Sequence, residues 1–289
     1  MSVTVAAAVL LAAITHAGWN ALAHAVRDQL VAFTLIGGCA AAIGAVTACF
    51  VPLPPGPAWP YLVASALLHV GYQLLLMRSF SLGDFGQMYP IARGTAPLVV
   101  TVLAAVLLDE TLTPWQLAGV AVASAGLVGV ALWGFRGGAT GSGGDARPHW
   151  PALLAASATG LSIAAYTVVD GVGVRASGSP VAYIAWLMVL QGVLIPAYAC
   201  HRLRRSLLPR LRPHAVRGFL GAVLSLLAYG LVLWAQTRAP LAPVAALRES
   251  SIIVGAAIGT LIFKERFGGP RIAAAALMVV GIGLMLRAG

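Results

Sequence analysis

The sequence predicts an all-α integral membrane protein with ten transmembrane helices, arranged as two inverted five-helix repeats. Three observations predict it. The chain of 289 residues is 60% hydrophobic and only 9% charged, with a mean hydropathy of +0.91, whereas soluble domains carry about 25% charged residues. Apolar runs of about 20 residues, long enough to cross a bilayer, recur almost end to end. Finally, a pattern repeats without a gap at an offset of 155 residues: Met88–Leu108, the turn DETLTP and Trp115–Leu132 return as Pro243–Phe263, the turn KERFGG and the run from Pro270. At that offset Arg93 falls on Arg248, Glu110 on Glu265 and Gly126 on Gly281, the mark of a duplicated unit. Five spans per half would force the second half to enter the membrane in the opposite direction.

Charge and cysteine usage narrow the class further. A net charge of +10 would suggest nucleic acid in a soluble protein, but here the arginines lie between apolar runs and fit topology and lipid headgroups. Cys39, Cys49 and Cys200 lack metal-ligand spacing and read as inert thiols. The first apolar segment lacks a basic leader and a cleavage site, so it reads as a retained helix.

In chain order, the first helix covers Thr4–Val26 and carries His16, Trp19 and Asn20, with His16 and Asn20 four apart on one face and His24 continuing it. Arg27 and Asp28 make a tight turn into a second helix, Leu30–Phe50, whose Gly37 and Gly38 permit close approach or a bend. A stiff proline link, Val51–Pro60, leads to the third helix, Trp59–Met77, with His69, Tyr72 and Gln73. Ser79–Asp84 turns into the fourth and fifth helices of the repeated stretch. The first five-helix repeat thus spans residues 1–133, a glycine-rich flexible linker 134–149, and the second repeat 150–289. Its helices are Trp150–Val169 with Tyr166 on it and Asp170 at its end, Pro180–Cys200, Gly218–Thr237 with Tyr229 and Trp234, Leu241–Phe263 and Pro270–Leu286. The basic segment His201–Arg217 lies between the second and third of these.

Arg93 is the most informative residue, because an ionised group inside a span is costly unless it faces a polar cavity or a partner. The alternative is an interfacial anchor whose head snorkels to the bilayer surface. Arg248 is its repeat mate, but Glu249 has none, since Gly94 occupies the matching place. Adjacent helical residues point about 100° apart, so Arg248 and Glu249 share one groove only where the helix opens after Pro243. Pro90 and Pro97 remove backbone donors and either free carbonyls or simply kink the helix. Gly255 and Gly259 read as packing residues. As a group, His16, Trp19, Asn20, Tyr72, Tyr89, Tyr166, Tyr229 and Trp234 could line one pocket with the arginines, although each alone is an ordinary packing residue. Glu110 and Glu265 sit in turns, suited to capping the following helix or a facing helix end. No catalytic, metal-binding or nucleotide-cradle pattern is present, so neither an enzyme nor a cofactor is expected.

Tyr89–Val130, with Glu110, Gly119 and Gly126, resembles the fourth and fifth helices of the drug/metabolite transporter superfamily, in its EamA-type branch. HAGWNALAH, His16–His24, resembles the first-helix pattern of one branch, with His24 where a lysine is usual; RES at 248–250 and KER at 264–266 fit loosely. The resemblance covers essentially the whole chain and makes the two repeats EamA-like. It implies a secondary transporter, commonly an exporter of amino acids or related small polar metabolites, with a central cavity.

The intramembrane charges and the repeat lead to the same class: a carrier in the cell inner (plasma) membrane, with a small-molecule substrate, the lipid bilayer and protons as partners, and without nucleic acid. Arg93 and Arg248 suit an anionic group and Glu249 suits proton coupling. The alternative is a non-transporting membrane component for assembly or sensing. Loop charge places 13 of the 18 basic residues on the side opposite the termini, which puts both termini outside the cytoplasm. The family resemblance implies the reverse.

Overall fold

A computed structural model describes residues 1–82, 85–137, 150–254 and 269–287. Its regular elements among these residues are all helices. The glycine-rich stretch 138–149, Gly255, Gly259, the turn glutamate Glu265 and the side chains of His24, Tyr89 and Pro90 lie outside the described residues.

The expectation of ten membrane spans in two inverted repeats is corrected. Among the described residues, three segments are long and apolar enough to cross a membrane: Val3–Ala23, Gln29–Ala48 and the stretch Pro180–Gln236. The remaining apolar helical runs, Ala96–Leu108, Pro114–Gly129 and Ile272–Arg287, have 10–17 residues. The ninth expected span is also broken, by a turn at 249–250.

The helices are α1 (Val3–His24), α2 (Gln29–Ala48), α3 (Trp59–Leu82), α4 (Phe85–Leu108), α5 (Pro114–Gly137), α6 (Trp150–Ser177), α7 (Pro180–Leu203), the short α8 (Leu207–Leu211), α9 (Ala215–Gln236), α10 (Leu241–Arg248) and α11 (Gly269–Arg287). Their ends follow local chemistry. Asp28 caps α2, its Oδ1 accepting from the backbone N–H of Leu30 at 3.1 Å and Val31 at 3.3 Å. Thr113 and Gln116 form a reciprocal capping box at the start of α5. Gly178 takes φ +67°, where a side chain would be strained, and lets α6 turn into α7, which Ser179 then caps. α6 therefore runs on past Asp170, which the sequence placed at a helix end.

The helices group into two compact units, each drawing on both halves of the sequence. The first comprises residues 1–6, 71–168 and 239–289. Within it α5 packs on α11 through glycines: a Cβ on Gly119 would meet the Gly281 carbonyl at 2.6 Å, and one on Gly281 would meet the Gly119 carbonyl at the same distance. Helices approach this closely only where side chains are absent. Val100 and Ala104 of α4 pack with Leu241, Ala242 and Ala245 of α10 and with Ala164 and Val168 of α6.

The second unit comprises residues 7–70 and 169–238. Here α2 packs on α7, where a Cβ on Gly192 would meet the Gly37 carbonyl at 2.5 Å and one on Gly44 the Ala185 carbonyl at 2.7 Å. Its core gathers Leu62, Val174, Tyr183, Leu187, Ala222 and Leu233.

Candidate substrate site

The first unit contains a buried charge cluster built on α4 and the end of α10. Arg93 enters α4 eight residues after Phe85 and is only 2% exposed, in a helix otherwise rich in alanine, valine and leucine. A guanidinium so placed needs anionic or polar partners. Its Nε lies 2.6 Å from Oε2 of Glu249, and its Nη2 donates to Ser251 Oγ at 3.1 Å. Arg248 Nη2 lies 3.6 Å from the other Glu249 oxygen, Oε1. Arg248 and Glu249 are 3% and 1% exposed, so the cluster is removed from solvent.

The backbone explains how neighbouring residues converge. α10 ends at Arg248, and the N–H groups of Glu249, Ser250, Ile252 and Ile253 donate to carbonyls three residues back rather than four. This tightening changes the angle between successive side chains, and such mid-helix stretches mark places where a helix can hinge. It supplies the local opening that lets Glu249 touch Arg93 while Arg248 stays beside it. α10 is anchored at its other end by the turn acid: Glu110 Oε2 accepts from the Leu241 backbone N–H at 2.8 Å. A carboxylate there satisfies an orphan donor and complements the helix dipole.

Of the other expected pocket residues, Tyr72 and Tyr166 also belong to the first unit and meet edge to face, with ring centroids 5.7 Å apart. His16, Trp19, Asn20, Tyr229 and Trp234 belong to the second unit. There, Trp19 donates to His16 Nδ1 at 3.2 Å and Asn20 donates to the His16 carbonyl at 2.8 Å, so these residues bond along one helix. Trp234 lies under the Arg238 guanidinium at 4.9 Å. Tyr229 donates instead to Asp170.

Two partners escaped the sequence reading. Ser251 is a small polar residue without a distinguishing pattern. Asp170 carried a readable signal, an acid inside a long apolar helix, hidden because the apolar run was taken to stop just before it.

Residues 150–287 match the EamA-like transporter family. This stretch is an EamA-like transporter domain. The match supports the superfamily resemblance read from Tyr89–Val130 and a general membrane-transporter function. No curated protein matches the chain. A solved structure titled "Crystal structure of protein" aligns at a TM-score of 0.70 and 22% identity, covering 98% of this chain and 99% of its own. That likeness shows a shared fold along the whole chain. Within the matched domain lie Arg248, Glu249 and Ser251; Arg93 reaches them from outside it.

Proposed function

We propose that this transporter is a secondary active carrier in the cell inner membrane that exports a small polar metabolite with an anionic group, such as an amino acid. The observation that carries the reading is the buried cluster of Arg93, Arg248 and Glu249 beside a tightened helix. Two guanidinium groups and one carboxylate leave these three side chains with one excess positive charge, and guanidinium forks suit carboxylate recognition. In the empty state Glu249 neutralises Arg93. A substrate carboxylate takes its place, and the displaced Glu249, having lost its cation in a desolvated setting, accepts a proton. Substrate exchange is thereby tied to proton exchange. Within the first unit the remaining members of the proposed site are Tyr72, Tyr89 and Tyr166.

Counterflow in proteoliposomes, with a panel of amino acids and related polar metabolites, tests the reading. Saturable uptake that requires preloaded substrate supports it. Inactivity across the panel favours a membrane component that assembles with or senses other proteins.

A further inference from the structure

The second unit holds another buried carboxylate that the proposed transport cycle does not use. Asp170 lies within α6, seven residues before its end at Ser177, and is 0% exposed. Its oxygens receive hydroxyl hydrogens from two other helices: Tyr183 of α7 donates to Oδ1 at 2.8 Å, and Tyr229 of α9 donates to Oδ2. From α3 come Ser65 and His69, both buried. The His69 ring stands edge-on to Tyr229, with centroids 5.3 Å apart. His69 Nδ1 lies 2.9 Å from the Ser65 carbonyl and 3.1 Å from Ser65 Oγ. A carbonyl only accepts, so Nδ1 carries a hydrogen and Nε2 is where the imidazole gains or loses its second proton. The titratable groups gathered around Asp170 are thus His69 from α3, Tyr183 from α7 and Tyr229 from α9.

The chemistry of these partners differs from that of an arginine. A guanidinium can only donate, and it favours the ionised carboxylate alone. A phenol donates to a carboxylate and, rotated about its C–O bond, accepts from a carboxylic acid, so the same oxygen contacts serve both forms. We propose that Asp170 and His69 form a single buried proton-binding site, with Tyr183 and Tyr229 as the hydroxyl groups that follow its change of state. Uptake forms one O–H bond at Asp170 or one N–H bond at His69 Nε2 and leaves water from a hydronium ion; release reverses it. Tyr229 links the two groups, donating to Asp170 and meeting the His69 ring edge-on. Asp170 bonds α6 to α7 and α9, and α3 joins through the His69 ring against Tyr229, so the charge state of the cluster is linked to their packing.

Infrared difference spectroscopy on the purified full chain in lipid nanodiscs, stepped in pH, reads the site without any transport assay. Its outcome is therefore independent of the transport reading. The expected result is a protonated-carboxyl band that grows as pH falls and is lost in Asp170→Asn. The band changes frequency in Tyr229→Phe, which removes one donor, and its midpoint moves in His69→Gln. Should Asp170→Asn fail to fold, the phenylalanine and glutamine variants carry the assignment, because they keep ring or side-chain volume. A spectrum without a titrating carboxyl band overturns the proposal. So does a band indifferent to both Tyr229→Phe and His69→Gln, or one that vanishes in Glu249→Gln while surviving in Asp170→Asn.

Discussion

Among the described residues each compact unit buries one carboxylate, and the two are held in opposite ways. Glu249 sits between two arginines, at 2.6 Å from one and 3.6 Å from the other. Asp170 is held by phenol hydroxyls. Equal burial therefore does not mean equal chemistry. A carboxylate between guanidinium groups faces partners that can only donate. A carboxylate among hydroxyls keeps its contacts in either form. The first arrangement suits an exchange of anions and the second a reservoir for a proton.

The comparison can be broken most forcefully at Arg93. Removing Arg93 deletes the 2.6 Å contact and leaves Glu249 with the more distant Arg248 at 3.6 Å, and breaking a buried ion pair costs about 3–5 kcal/mol. Arg93→Ala should lower the thermal stability of the purified protein by that order. The double variant Arg93→Met with Glu249→Met should not recover the loss, because Arg248 then loses the carboxylate beside it; a double variant as stable as the unaltered protein would show that these charges do not hold one another. A smaller effect is expected at the helix anchor. Glu110→Ala deletes a charge-assisted bond to the Leu241 N–H, worth about 1.5–3 kcal/mol, and should raise amide exchange in α10 ahead of α4. Uniform exchange across both helices would remove the anchor from the account. The mildest change is Tyr183→Phe, which deletes one hydroxyl contact to Asp170 at a cost of about 1 kcal/mol. A denaturation midpoint that falls as far as in Arg93→Ala would contradict the distinction between the two carboxylates.

What the sequence made legible follows the same division. Arginines in apolar runs announce themselves, because little but function or a partner keeps them there, and the unmatched Glu249 stood out against Gly94 in the repeat. The turn acid Glu110 and the caps at Asp28 and Ser179 are local features written in a few residues. The number of membrane spans was misread, since apolar length alone did not reveal that the chain tightens at Glu249–Ser250. Asp170 was passed over because the stop signal of α6, Gly178 with Ser179, lies well beyond the last long apolar residues. The side-by-side packing of α2 on α7 and of α5 on α11 depends on glycines meeting across more than a hundred residues of chain, which no local pattern records.

The central claim is that Arg93 receives the substrate's anionic group in exchange for Glu249. Equilibrium binding and pH-gradient-driven flux, measured on the same purified Glu249→Gln protein with a substrate identified by counterflow, test it most directly. The account predicts binding at least as tight as in the unaltered protein, because no carboxylate competes for Arg93, together with flux that no longer responds to the pH gradient. Weakened binding, or flux driven by the gradient as in the unaltered protein, would contradict it.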